Sequence, residues 1–499
     1  MTGQMEQSRQ QGIQPHKSDG IRTVFGAMGV YGGVQAVQIL AGLIRGKVSA
    51  VFLGAFGMGV SSLYASAVAV VQQIAVAGVN LAVVKEVAAV ADDDEARRLA
   101  ASVSSRLTGI CALIGGVLCL LLSPLLSRLT FGNYDYTVGF MALSVMVAFS
   151  VGAAGQQALL QATRSLRPLA RATMCGVVMS LLVAVPLYWA FSVEGIVPAM
   201  IAGSFFGWLF FRRAVIRAGV RASSAPRLRD HMPIVRSLLR GGVSLMAVGA
   251  VSVGVTFAVN VFLRVVGGES SVAMYQAASS VSAQCASLVF TAMAMDYFPR
   301  ISTLTSDREA LSAVAGSQQS VVLIVLTPIA CMLSLAAPLV ADLLFSREFV
   351  EMVPLLRWLA VAMTLKGVSY PLGYVPLAME RRRLYFWLEG VYGTVTVFAG
   401  VSVGYILGGL EGIGMALCAI YLLDIAVYAV VCARCFGVAL RRRVAAEAVV
   451  SVVMVMSVTL AAGIFENAVA YAVMALLTLT ALTVSWMRFK KVYKANGDN

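Results

Sequence analysis

Ser252, Thr256, Asn260 and Arg264 recur at intervals of four in an otherwise apolar stretch, so they share one face of a helix. Gln276, Ser280 and Gln284 repeat the interval in the next stretch, Gln35, Gln38 and Arg45 share a face near the start, and Gln73 and Asn80 stand seven apart. Tyr385, Glu389, Tyr392 and Thr396 align in the same way, as do Tyr421, Asp424 and Tyr428. Unsatisfied polar groups facing hydrocarbon cost several kcal/mol each. The stripes therefore line a shared hydrated interior or bond helix to helix. Lining an interior, Gln38, Gln73, Asn260, Gln276 and Gln284 would offer amides to a polar guest.

Ionisable side chains carry a stronger signal, because a charge at a bilayer centre costs roughly 2.5–3.5 kcal/mol on insertion scales. Lys366 and Asp424 lie near the middle of apolar stretches, with Glu389 in a third. Arg45, Arg264 and Arg357 lie nearer the ends of theirs, where a long side chain can also snorkel to the interface. Fixed cations in such surroundings hold an anion, and Lys366, Arg45, Arg264 and Arg357 are the candidates. Glu389 and Asp424 are candidates for carrying a coupling proton or sodium ion. Pro371, Gly373 and Pro376 predict a kinked or unwound helix close to Lys366.

Other chemistries find no residues. The two histidines, His16 and His231, lie outside the apolar stretches, no metal-ligand spacing occurs, and Cys432-x-x-Cys435 has no second pair. AGLIRGKV at 41–48 has Ala41 and Val48 where a phosphate-binding loop needs glycine and a hydroxyl residue. No catalytic residue, metal or cofactor is expected, and the chain does not read as an enzyme.

These residues are positioned by roughly fourteen apolar stretches of about 20 residues, each long enough to span a bilayer: 24–44, 58–80, 107–127, 138–160, 172–191, 196–211, 241–263, 274–295, 319–341, 355–377, 384–407, 412–432, 446–464 and 468–487. Charged residues make up 12% of the chain and hydrophobic ones 59%, against about 25% charged in soluble domains. The net charge of +14 would suggest nucleic acid in a soluble protein. Here it sits in the connectors, and with the N-terminus inside, most of the 38 Lys and Arg residues fall on the cytoplasmic side. No nucleic-acid partner is expected. The first twenty residues lack the apolar core of a signal peptide, so the expectation is a multi-pass protein of a bacterial inner membrane with both termini cytoplasmic.

The predicted fold is all-α: a cytoplasmic segment (1–23), a six-helix bundle (24–211), a basic linker (212–240), a second six-helix bundle (241–435), two additional helices (436–487) and a basic tail (488–499). A weak repeat relates the bundles: Arg45 precedes a glycine-bearing turn and Tyr64, as Arg264 precedes one and Tyr275. Connector charge runs, including Arg381–Arg383 and Arg441–Arg443, read as solvated loops that orient the chain.

Three segments carry a family resemblance: GVQAVQILAGLIRGKVSAVFLGAFGMGVSSLY at 33–64 with VVKEVA at 83–88, SSVAMYQAASSVSAQCASLVFTAMAMDYFPRIS at 270–302, and LKGVSYPLGYVPLAMERRRLYFWLEG at 365–390. In order and spacing the chain resembles the bacterial polysaccharide flippases, which include the O-antigen and enterobacterial common antigen translocases of the multidrug/oligosaccharidyl-lipid/polysaccharide exporter superfamily. The resemblance implies a V-shaped pair of bundles that opens alternately to either side and carries an oligosaccharide linked to undecaprenyl pyrophosphate outward, for O-antigen or exopolysaccharide synthesis. Implied partners are that polyprenyl-diphosphate-linked oligosaccharide, membrane lipids and other polysaccharide assembly proteins. For such a substrate Lys366, Arg45, Arg264 and Arg357 are the diphosphate-binding candidates, and Gln38, Gln73, Asn260, Gln276 and Gln284 the glycan-contact candidates. The two extra C-terminal helices depart from twelve-helix members; lipid II flippases also have fourteen, the last pair forming a groove for the lipid tail. Two alternatives stay open, a multidrug antiporter of the same superfamily and a membrane glycan polymerase or ligase. The antiporter would favour acidic over basic cavity residues, and the polymerase or ligase a long outer loop.

Overall fold

The computed structural model describes residues 17–76, 78–90, 93–220, 232–304, 307–464 and 467–497, and these are helical apart from short turns. His16, His231, the Gln35 side chain, most of the expected N-terminal segment and residues 221–231 of the expected linker lie outside the described residues.

Single glycines turn the chain where the sequence suggested loops. Lys17–Val76 divides at Gly54 (φ 66°, ψ −173°) into α1 (17–53) and α2 (55–76), with a short continuation at Val79–Ala89. Asp94–Phe131 is α3, Thr137–Ala162 α4, Leu166–Phe191 α5 and Ile196–Arg217 α6. Met232–Ser302 divides at Gly268 (φ 77°, ψ 177°) into α7 (232–267) and α8 (269–302). Positive φ with extended ψ is open essentially to glycine alone, and the same conformation at Gly54 and Gly268 makes the α1–α2 and α7–α8 hairpins alike. That α7 and α8 fold back is plain from Gln276, whose Nε2 donates to Asn260 Oδ1 at 2.7 Å. On a straight helix those residues would lie about 24 Å apart.

Arg308–Leu344 is α9 and Val353–Ala378 α10. Residues 382–436 turn at Gly408–Gly409, giving α11 (382–407) and α12 (410–436); Arg442–Ile464 is α13 and Asn467–Gly497 α14. Among the described residues nine helical stretches are long and apolar enough to cross a membrane. Four of them contain two helices each. With α10, whose 26 residues span about 39 Å, the crossings number fourteen.

Every crossing reverses direction, so the helix ends fall on two faces. The face holding both described chain ends carries Arg381–Arg383 and Arg441–Arg443 and is called the basic face; Gly54, Gly132, Gly268 and Gly409 turn at the opposite face. Large apolar residues such as Leu407 (80% exposed) and Trp189 (74%) point outward, while Ser123, Ser127 and Thr130 are fully buried. This inversion is what hydrocarbon surroundings require.

α3 packs on α4, α5 on α6, and α4 on α6; α9 and α12 flank α10, and α13 and α14 pack against α9. The α1–α2 hairpin against the α7–α8 hairpin joins the two groups. Small residues set the closest approaches. In the α11–α12 hairpin Gly404 faces Gly412, and a Cβ at Gly404 would stand 2.8 Å from the Ala416 methyl. Gly404→Val is expected to lower stability in detergent by about 1–3 kcal/mol through overpacking, whereas Gly109→Ala, at a position with nothing within 4 Å, should leave the melting temperature unchanged.

The expected break near Lys366 is not there. α10 runs unbroken through Pro371 and Pro376. Pro376 deprives the Leu372 carbonyl of its N–H partner, and the Cys432 thiol takes the place at 3.6 Å; Tyr297 Oη donates to the Pro371 carbonyl at 3.1 Å. Neighbours that supply such donors let a membrane helix tolerate proline. The irregularity lies instead in α11, where Phe386–Tyr392 is π-helical around Glu389.

Candidate functional site

Lys366 stands at the midpoint of α10 and Asp424 near that of α12, and packing of these helices brings Lys366 Nζ to 3.7 Å from Asp424 Oδ2. The aspartate side chain is 2% exposed and the lysine 24%, so the ammonium is reachable and the carboxylate is not. The ammonium also lies over the Tyr421 ring, 5.4 Å from its centroid. One helical turn from Asp424, Tyr428 Oη donates to Glu389 Oε1 at 2.6 Å. The wider coil of the π segment turns Glu389 toward α10, against Gly373, where any Cβ would clash with the carboxylate. Asp424 Oδ1 and the Tyr392 hydroxyl remain buried without a hydrogen-bond partner. Two carboxylates and one lysine share this interior, so a second positive charge, as a proton or a small cation, would complete its balance.

A second polar space lies within α1–α6. Arg45 and Gln38 on α1 line a 480 Å³ cavity with Ser61 of α2, Gln157 of α4, Thr173 and Ser180 of α5 and Ser204 of α6. Arg45 Nη2 donates to Ser180 Oγ at 2.7 Å. Among the described residues no carboxylate lines this cavity, so the guanidinium keeps its charge available to an anion or to sugar hydroxyls. Ser180 was not legible as a partner, since nothing in sequence ties α5 to α1.

The remaining candidates go elsewhere. Asn260 and Gln276 bond each other across the α7–α8 hairpin, and Asn260 is 1% exposed. Toward the basic face the same α7 stripe opens, with Ser252 and Thr256 exposed. Gln73 lies against Gly249 of α7, and Gln284 faces Gly42 of α1 with its amide oxygen buried and unpartnered. Arg357 is nine residues from Lys366, which is half a turn off in phase. It faces α9 and α13, donating to the Ser334 carbonyl at 3.4 Å while its own carbonyl accepts from Thr459.

Arg264 belongs to a set of contacts on the opposite face that the sequence did not reveal. Its Nη1 donates at 2.8 Å to the Phe131 carbonyl at the C-terminus of α3. Lys47 of α1 donates to the Asp342 and Phe345 carbonyls at the C-terminus of α9, at 2.9 and 2.5 Å. Glu348 accepts from the Ala55 N–H, the first of α2, at 3.0 Å. Each bond joins α1–α4 to α7–α10, and each charge meets the helix end of opposite dipole sign. Cross-group closure on this face thus rests on four charge-assisted bonds made by three charged side chains. Arg264 had a sequence signal, as a cation near the end of an apolar stretch, but it named no partner.

Comparison with known proteins places this geometry. Residues 37–354 match the family model described as polysaccharide biosynthesis protein, well over half of the chain. The lipid III flippase of Escherichia coli (strain K12) is 27% identical over 363 residues, covering 71% of this chain and 85% of the relative, and the lipid III flippase of Shigella flexneri matches equally. Among solved structures, the lipid II flippase MurJ in an inward closed conformation superposes with a TM-score of 0.66 at 10% identity, covering 94% of this chain and 99% of that one. An inward-facing multidrug resistance MATE family transporter of the MOP superfamily gives a TM-score of 0.65 at 17% identity, covering 82% and 95%. The fold, fourteen membrane-crossing helices around two interlocked hairpins, is thus of the MurJ/MATE transporter type, and the chain belongs to the polysaccharide biosynthesis protein family.

Proposed function

We propose that the chain carries a polyprenyl-diphosphate-linked oligosaccharide across the bacterial cytoplasmic membrane, from the basic face to the opposite one, for assembly of an O-antigen or exopolysaccharide. The observation that carries this reading is Lys366, a reachable cation at mid-membrane inside a fold whose relatives include lipid-linked substrate flippases. A diphosphate cannot enter hydrocarbon without such a counter-charge. Lys366 holds it while Gln73 and Gln284 meet the glycan between the helix groups and Arg45 and Gln38 meet it in the cavity within α1–α6. Arg264, Arg357, Asn260 and Gln276, already bonded within the protein, hold helices together.

The basic face is cytoplasmic on this reading, with both termini inside. α1–α6 and α7–α12 rock against each other, and α13–α14 on α9 border the path of the lipid tail. Moving about two negative charges outward across 100 mV, inside negative, releases roughly 4.6 kcal/mol, enough to bias direction without a nucleotide. Glu389 and Asp424 carry the coupling proton or sodium ion.

The test is deletion of the gene, followed by a glycan-specific lectin on intact and lysed spheroplasts. Repeat units detected only after lysis are the expected result. Units already exposed outside would place the protein later, with a polymerase or ligase, and overturn the flippase reading. The tyrosines around Glu389 and Asp424 favour one rival, a multidrug antiporter for cationic aromatic compounds, and hypersensitivity of the deletion strain to cationic dyes with normal glycan export would select it.

A further inference from the structure

Arg381, Arg382 and Arg383 are exposed, but they border one concavity. With Glu380, Leu384, Cys435 and Phe436 they wall a 540 Å³ pocket between the α10–α11 turn and the end of α12. The turn is tight: Glu380 takes φ 55°, and the Arg381 N–H returns to the Pro376 carbonyl at 3.0 Å, setting the three arginines around one mouth. Among the described residues none of the three guanidinium groups lies within ion-pair distance of a carboxylate, Glu380 included. Three exposed, unpaired arginines concentrated on a concavity focus a positive potential that draws an anion to it.

The surroundings indicate what kind of anion. Trp387, one turn from Arg383 and 62% exposed, is the residue type that settles at the headgroup level of a bilayer. Leu384 and Phe436 add apolar wall beside the arginines. A headgroup entering here therefore keeps its hydrocarbon stem in lipid. Lys366 lies about 18 Å from the end of α10 at Ala378, beside which the pocket opens. Guanidinium forks take phosphate oxygens in pairs, and three of them suit a diphosphate better than the single charge of a phospholipid phosphodiester.

We propose that this pocket is a loading site for the diphosphate of a polyprenyl lipid, which waits there before passing inward to Lys366. The inference rests on the flippase reading for the identity of the lipid. It adds a second, surface station to the mid-membrane one.

Cys435 is exposed and lines the pocket, so its modification reports occupancy. The full-length protein in phosphatidylcholine nanodiscs is labelled with a charged, membrane-impermeant maleimide, a Cys435→Ser chain setting the background. Undecaprenyl diphosphate, without sugar, should slow labelling by about tenfold when nine-tenths of the sites are filled, and phosphatidylglycerol at the same mole fraction should not. Arg381→Gln/Arg382→Gln/Arg383→Gln should remove the protection, the corresponding triple lysine variant should keep part of it, and Lys366→Ala should keep all of it.

Equal protection by phosphatidylglycerol would overturn the proposal in favour of a general anionic-lipid patch. Absence of protection by undecaprenyl diphosphate in the unaltered chain would overturn it without reference to any variant's folding. Because labelling requires no transport, the two readings fail separately. Lipid translocation by reconstituted protein without Cys435 protection sinks the loading site alone, and protection without translocation sinks the flippase reading alone.

Discussion

Lys366→Ala is expected to abolish glycan export, by 100-fold or more on the order of the loss of one essential charge–charge contact, and also to destabilise the folded protein. The second effect comes from Asp424. At 2% exposure it has Lys366 as its ion-pair partner, and an orphaned buried carboxylate costs about 3 kcal/mol, the low end for a broken buried pair because the 3.7 Å contact is long and the lysine half-open to the interior. Combining Lys366→Met with Asp424→Asn removes both charges and should recover most of that stability. Export should remain absent. Thermal unfolding in detergent and surface-glycan staining on the same four chains separate the roles. Full export by the double variant would mean that the pair only holds α10 to α12. Lys366→Arg should retain partial export, since the charge survives while its geometry shifts.

The second large effect concerns closure of the opposite face. Lys47→Met/Arg264→Met/Glu348→Gln removes four bonds, made by three charged side chains, that cross between helix groups. At about 1–2 kcal/mol for each charged side chain, the closed form should lose on the order of 10²–10⁴-fold in population relative to the open one. A cysteine introduced at Gly42, which faces Gln284 between the groups, should then react much faster with an impermeant thiol reagent added from that face. Export should fall, because a carrier held open on one side cannot return to load. Unchanged reactivity of the Gly42→Cys reporter would show that apolar packing closes this face by itself. High salt should mimic the variant weakly, acting on the exposed Lys47 contact and sparing the part-buried Arg264 one.

Both predictions rest on pairings that no linear pattern states. The all-helical class and the fourteen crossings were legible because hydrocarbon imposes its length and polarity on every segment separately. Lys366, Asp424 and Glu389 could be picked out for the same reason, since an ionisable residue in an apolar run is conspicuous wherever it ends up. The turns were legible in part. Glycine-bearing turns were expected between Arg45 and Tyr64 and between Arg264 and Tyr275, and Gly54 and Gly268 make them; that a single residue suffices was not legible, because one glycine with positive φ reverses a helix that composition alone extends indefinitely.

The prolines of α10 misled in an instructive way. Their local effect is a missing N–H, but whether the helix breaks depends on neighbours such as Cys432 and Tyr297 that come from other crossings. Conversely, the π segment around Glu389 has no proline to announce it. Periodicity placed Asn260 and Arg264 on one stripe with Ser252 and Thr256, and that phase holds. The stripe faces open space at one end and a packed hairpin at the other, a distinction made by α8 and α3.

By itself the sequence determined that this chain lives in a membrane, crosses it fourteen times, and carries mid-membrane charges, because each of these follows from the free energy of one segment in lipid. Only the tertiary structure decided which charges meet: Lys366 with Asp424, Arg45 with Ser180, Arg264 with the end of α3, and three arginines around one pocket. Those contacts depend on helix phase, tilt and neighbour, which are set by side-chain packing between segments far apart in the chain.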